Sequence, residues 1–231
     1  MKNNPSLHTS SAFIGNDIVD LNQESVLEKH LNSRFIGRVL SANEKELIAK
    51  AEDPGLFLWY LWSAKEAAFK AIKKFDSSVL FAHRKYDVLI SSANEFLIKN
   101  DKAATLKHYN LSVSLEWQST EDYVHCIASL GAIPAQMSTR LQICKTIDVD
   151  TTKHTFSIPE EKSIHSDESR AVRSLAKDLL ERENITNTQI IRKPEGNQFG
   201  PPRIFTDESL LKASDISMSH DGEYIAAFIM V

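Results

Sequence analysis

From Leu56 to Phe75 the chain has neither glycine nor proline, and Leu58, Leu61, Trp62, Ala68, Phe69 and Ile72 recur at helical spacing. This predicts one long, largely buried helix. At 231 residues the chain is long enough for one large domain or two small ones, with a substantial core. The net charge of −4 comes from interspersed signs, so neither a basic tail nor a nucleic-acid-binding surface is implied. The stretch Met1–Ser11 is polar, without the apolar run of a secretion signal, and no segment reaches membrane-spanning length. The expectation is a soluble cytoplasmic protein that acts on neither membrane nor nucleic acid. Cys126 and Cys144 have no metal-type spacing and read as reduced core thiols.

Around the long helix the pattern is α+β. Residues 12–21 read as a short buried strand ending in acids. From Gln23 to Lys50 apolar residues recur at helical spacing, with a break at Ser41, where Ser41 and Glu44 have the form of a capping box that starts a second helix. Residues 86–91, 95–99, 110–116 and 123–130 read as strands of a meander. A junction at Ile133–Pro134–Ala135 divides the chain into lobes 1–134 and 135–231. The second lobe reads as a strand at 141–149, a polar connection at 150–161, a helix at 167–183 and a strand at 189–192. A Pro/Gly-rich loop at 193–202 and strands near 214–218 and 224–230 follow. Both halves end alike, Leu111–Ser114 before Tyr123–Ser129 and Ile216–Ser219 before Tyr224–Phe228, which suggests two related lobes, each with helices on a small antiparallel sheet.

Four groups of residues have chemistry to offer. In Gly15-Asn16-Asp17-Ile18-Val19-Asp20 the glycine permits a close approach, and Asp17 and Asp20 are either hard oxygen donors for a cation or solvated turn formers. Glu66 and Lys70 lie one helical turn apart, either as a surface ion pair or as holders of a cation and an anionic oxygen. Ser219-His220-Asp221-Gly222 suits a hairpin that places His220 at its tip, exposed or donating to a phosphate oxygen. Arg34 with Arg38, and Arg170, Arg173 and Lys177, form basic rows that are solvated faces or binders of phosphate and acidic partners.

In their order and intervals these pieces resemble the 4'-phosphopantetheinyl transferase superfamily. Gly15-Asn16-Asp17-Ile18-Val19, the segment Arg34 to Glu44, and Lys65-Glu66-Ala67-Ala68-Phe69-Lys70 are similar to three successive motifs of the small holo-acyl-carrier-protein synthases. Trp62-Ser63-Ala64-Lys65-Glu66, with Arg173-Ser174-Leu175, Gly200-Pro201-Pro202 and Ser219-His220-Asp221-Gly222, looks more like the two-lobed members, with the lobes in exchanged order. The loop lysine expected between glycine and proline is absent, and Val19 stands where two-lobed members often have a second acid.

The resemblance implies an α+β fold of two lobes, a metal-binding catalytic lobe first and a coenzyme A-contacting lobe second. It implies transfer of the phosphopantetheine arm of coenzyme A to a serine of an acyl or peptidyl carrier protein, dependent on Mg2+, with release of 3',5'-ADP. Asp17 and Glu66 are then the metal ligands, and Asp17, Glu66 and Lys70 the catalytic residues. His220, Ser219, Arg173, Lys177, Lys65 and Lys193 are the candidates for coenzyme A contact, and Arg34 and Arg38 for docking the acidic carrier. The site closes in one chain or is shared in a homo-oligomer. The alternative is a non-catalytic coenzyme A or carrier-binding module of the same fold.

Overall fold

The computed structural model describes residues 12–196, 198–207 and 209–231; the reading of Met1–Ser11 lies outside them. The first lobe runs β1 (Phe13–Asp20), α1 (Ser33–Val39), α2 (Ala42–Ile48), α3 (Pro54–Phe75), β2 (Asp87–Leu89), α4 (Ala93–Ile98), β3 (Lys102–His108), β4 (Leu111–Ser119) and β5 (Tyr123–Leu130). Its five strands form one antiparallel sheet in the order β1-β5-β4-β3-β2. The second lobe runs β6 (Thr139–Lys145), α5 (Ile158–Glu161), α6 (Asp167–Arg182), β7 (Thr188–Glu195), β8 (Gln198–Thr206), β9 (Ser209–Leu210), β10 (Asp215–Asp221) and β11 (Tyr224–Met230). It carries two small antiparallel sheets, β10-β11-β6 and β7-β8-β9. The architecture is the expected α+β, with helices packed on small antiparallel sheets. No helix among the described residues is long and apolar enough to cross a membrane.

The long helix is α3. Asp53 caps it by accepting from Leu56 N, and Pro54 occupies the first turn, where a missing N–H costs nothing. Phe57, Leu58, Leu61, Ala64, Ala67, Ala68, Ala71 and Ile72 are fully buried against the first sheet. Each large side chain among them contributes about 1.5–3 kcal/mol of burial. The small residues Ala67 and Ala71 let α3 lie directly on β1, and Gly15 completes that fit: a Cβ there would sit 1.9 Å from Ala67 O. The capping box is present, with Ser41 and Glu44 satisfying each other's backbone amides at the start of α2.

Strand alternation makes β1 the seam of the molecule. Gly15 and Asp17 face α3, whereas Ile14, Asn16, Ile18 and Asp20 face the second lobe. There Ile14 packs with Phe228 and Met230, and Ile18 with Tyr224 and Ala226. The free edge of β1 is satisfied by side chains of β10: Ile14 N donates to Asp215 Oδ2, Asn16 N to Ser217 Oγ and Asp20 N to Asp221 Oδ2, at 2.8–2.9 Å. Lys74 pins the junction, donating to Ile14 O and Ile216 O and pairing with Asp215 at 2.8 Å. Asp20 closes its far end by accepting Glu223 N. That contact requires Gly222, which has φ +52° and whose added Cβ would lie 2.1 Å from Asp20 Oδ2.

Four expectations change. The helical spacing read from Gln23 gives only turns and a 3-10 turn at Lys29–Leu31 before α1 begins at Ser33, where Asn32 accepts Phe35 N as its cap. Residues 95–99 are not a strand, because Ser92 accepts Glu95 N and starts α4. Lys102–His108 is an additional strand, whose weak alternation hides it. The Pro/Gly-rich segment at 193–202 is a hairpin rather than a loop, with Pro202 opposite Arg192 on β8. Proline is tolerated there because β9 pairs only with Phe205 and Thr206, leaving β8 an open edge at Pro201 and Pro202.

Candidate active site

Two adjoining cavities lie where α3 and β1 meet the β10–β11 hairpin. The first, of about 250 Å³, is lined by Asp17, Ser25, Trp59, Trp62, Glu66, His220 and Asp221, among others. The second, also about 250 Å³, is lined by Phe69, Lys70, Lys73, Arg173, Arg192, Phe199, the Gly200-Pro201-Pro202 segment and His220. One is acidic and the other basic, and His220 belongs to both.

The acids of the first cavity come from separate elements. Asp17 reaches it from the face of β1 that meets α3, Glu66 from α3, and Asp221 from the end of β10. Lys70, one turn beyond Glu66, pairs with Asp17 at 2.8 Å and donates to Asn16 O, so it is not an intrahelical partner of Glu66. Burial pushes the Asp17 carboxyl up to about 7; Lys70 opposes the shift, and the charges of Glu66 and Asp221 add to it. A carboxyl whose ionised form is so poorly compensated can be matched by a bound cation. His83 Nε2 stands 3.4 Å from Glu66 Oε1. Its ring is stacked on Trp62 at 4.7 Å and packed on Phe81 at 4.0 Å.

The basic cavity suits anionic oxygens. His220 is exposed at its rim, and the protein around its ring lowers its pKa, with Glu168 opposing and Lys70 assisting. Arg173 is held by Ser163 and Ser169 and is only 2 % exposed, while its Nε has no partner. Burial lowers its pKa to about 10. Arg192 donates to Phe199 O and Gly200 O, so it braces the hairpin as it faces the cavity.

Asp17, Glu66, Lys70, His220 and Arg173 are thus brought together, from both lobes, within one chain. Four other candidates for coenzyme A contact lie elsewhere. Lys65 is fully buried in a 2.6 Å pair with Glu44 and also donates to His83 O and Tyr86 O, because the residue beside Glu66 points into the core. Lys177 pairs with buried Glu160 at 3.0 Å beneath Phe156. Ser219 is buried on the β10 face that meets β1. Lys193 is exposed on β7, and strand alternation brings its neighbour Arg192 to the cavity instead. Asp20, with Asn22 N and Glu223 N on its two oxygens, is a latch rather than an open ligand.

Sequence reasoning missed His83, Lys73, Arg192 and Asp221 as lining or supporting residues. For His83 no local pattern existed, since the chain returns to Glu66 only after α3 ends. Asp221 lay inside the hairpin motif, read there as a turn residue. Arg34 and Arg38 are both exposed on α1. Arg38 lines a groove of about 1050 Å³ with Lys45, His83, Arg84 and Lys85. Among the described residues, the one set of three or more possible metal-ligating side chains with ligand atoms within 4.8 Å of one another is His154, Asp178 and Glu181. Lys153 already pairs with both of its acids.

A comparison with curated protein sequences returned no match. A comparison with protein families matched residues 13–128, which hold β1, α3, β2 to β4 and most of β5, to the model described as the 4'-phosphopantetheinyl transferase superfamily. That span covers half of the chain and holds Asp17, Glu66 and Lys70, and with it the chain belongs to the 4'-phosphopantetheinyl transferase superfamily.

Proposed function

We propose that the protein transfers the 4'-phosphopantetheine group of coenzyme A to a serine hydroxyl of an acyl or peptidyl carrier protein, with Mg2+ as its metal. The observation that carries this reading is the pair of adjoining cavities, an acidic one and a basic one bridged by His220 and flanked by Lys70. Asp17 and Glu66 offer hard carboxylate oxygens, the donor set that suits Mg2+, at a site where burial outweighs the compensation that Lys70 gives Asp17. Held by Asp17 and Glu66, Mg2+ would supply positive charge to offset that of the diphosphate.

The chain's own residues do the rest. Lys70, Lys73, Arg192 and His220 hold the diphosphate and 3'-phosphate oxygens, with Arg192 in the role of the absent loop lysine and Arg173 behind it. Phe69 and Phe199 give an apolar wall for the adenine. His220, whose pKa the surrounding protein lowers, donates a ring N–H to a phosphate oxygen. The carrier serine oxygen attacks the β-phosphorus. A new O–P bond forms, the bond to the bridging oxygen breaks, and 3',5'-ADP leaves with that oxygen. Glu66, steadied by His83, accepts the serine proton. Arg34 and Arg38 meet the acidic surface of the carrier.

The test is incubation with an apo-carrier protein, coenzyme A and Mg2+, followed by mass spectrometry of the carrier. A mass increase of one phosphopantetheine group is expected. An unmodified carrier, with coenzyme A bound to the protein and intact, would instead leave a binding module.

A further inference from the structure

We propose that Asp221 is a third carboxylate of the metal site, delivered from the second lobe and acting on the ion through its bound water. This rests on the metal site described under Proposed function. Asp221 lines the same cavity as Asp17 and Glu66, and Lys70, which bonds Asp17 Oδ1, lines the adjoining one. Its Oδ2 accepts Asp20 N at 2.9 Å, which fixes the side chain, and its Oδ1 has no hydrogen-bond partner among the described residues.

The three acids do not have ligand atoms all within 4.8 Å of one another, so a single bare ion is not gripped by all of them. Mg2+ rarely asks for that. It keeps several waters, and carboxylates beyond the first contacts accept hydrogen bonds from those waters. Asp221 therefore suits an outer position, across the cavity from β1 and α3. On β1 itself the outward neighbour of Asp17 is the apolar Val19, so a third charge can arrive only from another element. The consequence is a link between lobe docking and metal affinity: the contact that seats the hairpin on Asp20 also sets the Asp221 carboxylate over the ion.

The experiment is a Mn2+ titration followed by electron paramagnetic resonance, with and without 3',5'-ADP, on the wild-type protein and on Asp17→Asn and Asp221→Asn. Asparagine still accepts from Asp20 N but carries no charge. Asp221→Asn is expected to keep its melting temperature and to bind Mn2+ about 10-fold more weakly, as lost outer-shell partners do. Mn2+ affinity equal to wild type in Asp221→Asn, with binding lost in Asp17→Asn, overturns the role of Asp221 alone. Absence of cleft binding in the wild type overturns the metal site and this inference together. Should Asp221→Asn melt early, Asp221→Glu decides. Affinity clearly above that of Asp221→Asn supports the charge, and affinity no better overturns it.

Discussion

The two lobes share a scaffold and differ in the residues that it carries. Asp20 lies opposite Tyr123 in the first sheet, and Lys145 lies opposite Tyr224 in the second, which aligns β1 with β6. In each lobe a serine-glutamate capping box precedes the main helix, Ser41 with Glu44 and Ser157 with Glu160. In each, that glutamate accepts a strand amide, Val88 N or Ile190 N, and pairs with a buried lysine, Lys65 or Lys177. With the lysines superposed, Glu66 corresponds to Asp178 and Lys70 to Arg182. Lys70 bonds Asp17 on β1, and Arg182 bonds Gln142 at the matching place on β6. Where Gly15 lets Ala67 and Ala71 touch the strand, the second lobe has Arg140 paired with Glu183 at 2.6 Å. The difference teaches that the glutamate–lysine pair holds the scaffold in both lobes, whereas the helix cation meets an acid, Asp17, in the first lobe and an amide, Gln142, in the second.

The comparison breaks most sharply in activity. Glu66→Ala or Asp17→Ala should lower transfer on the order of 10^3-fold in the carrier mass assay, while Asp178→Ala and Gln142→Ala stay within about twofold, as ordinary surface changes do. Equal losses in both lobes would reveal a second working site. Next come the buried pairs. Lys65→Met and Lys177→Met each orphan a buried glutamate and should each cost about 3–5 kcal/mol in denaturant unfolding; a loss in only one lobe would deny that the device is repeated.

Smaller effects sharpen the packing contrast. Gly15→Ala drives a methyl into Ala67 O and should destabilise by about 1–3 kcal/mol or more while slowing transfer. Arg140→Ala, at the matching position, removes a half-exposed ion pair and should cost about 0.2–1 kcal/mol by the same unfolding measurement. The smallest effect is on pH. The Asp17 pKa in the folded, metal-free protein is raised from 3.8 to about 7, so folding takes up a proton between those values. The stability tied to its protonated form is complete below pH 3.8 and is lost as pH rises through about 7. The metal-free melting temperature should therefore fall from about pH 5 to pH 8, the fall should vanish in Asp17→Asn, and Mg2+ should offset it at the upper end. A neutral amide at Gln142 gives the second lobe no such dependence.

Much of this was written in local patterns. An uninterrupted apolar periodicity marks α3, a serine three residues before a glutamate starts α2, and alternating residues give β5 and β11 with the bounds observed. Asp17, Glu66, Lys70 and His220 were legible because short motifs hold each in a strand end, a helix face or a hairpin tip. Lys65 and Lys177 were misread because a motif names a residue without saying which way it faces. The sequence by itself determined which groups are available and which elements carry them, since helix and strand periods are local properties of the chain. Only the tertiary structure decided that a strand of one lobe finds its hydrogen-bond partners in the side chains of the other. That seam, held by Lys74 and Asp20, sets His220 and Asp221 against residues about 150 to 200 positions earlier, and such distant placement arises from burial and hydrogen-bond satisfaction across the whole molecule.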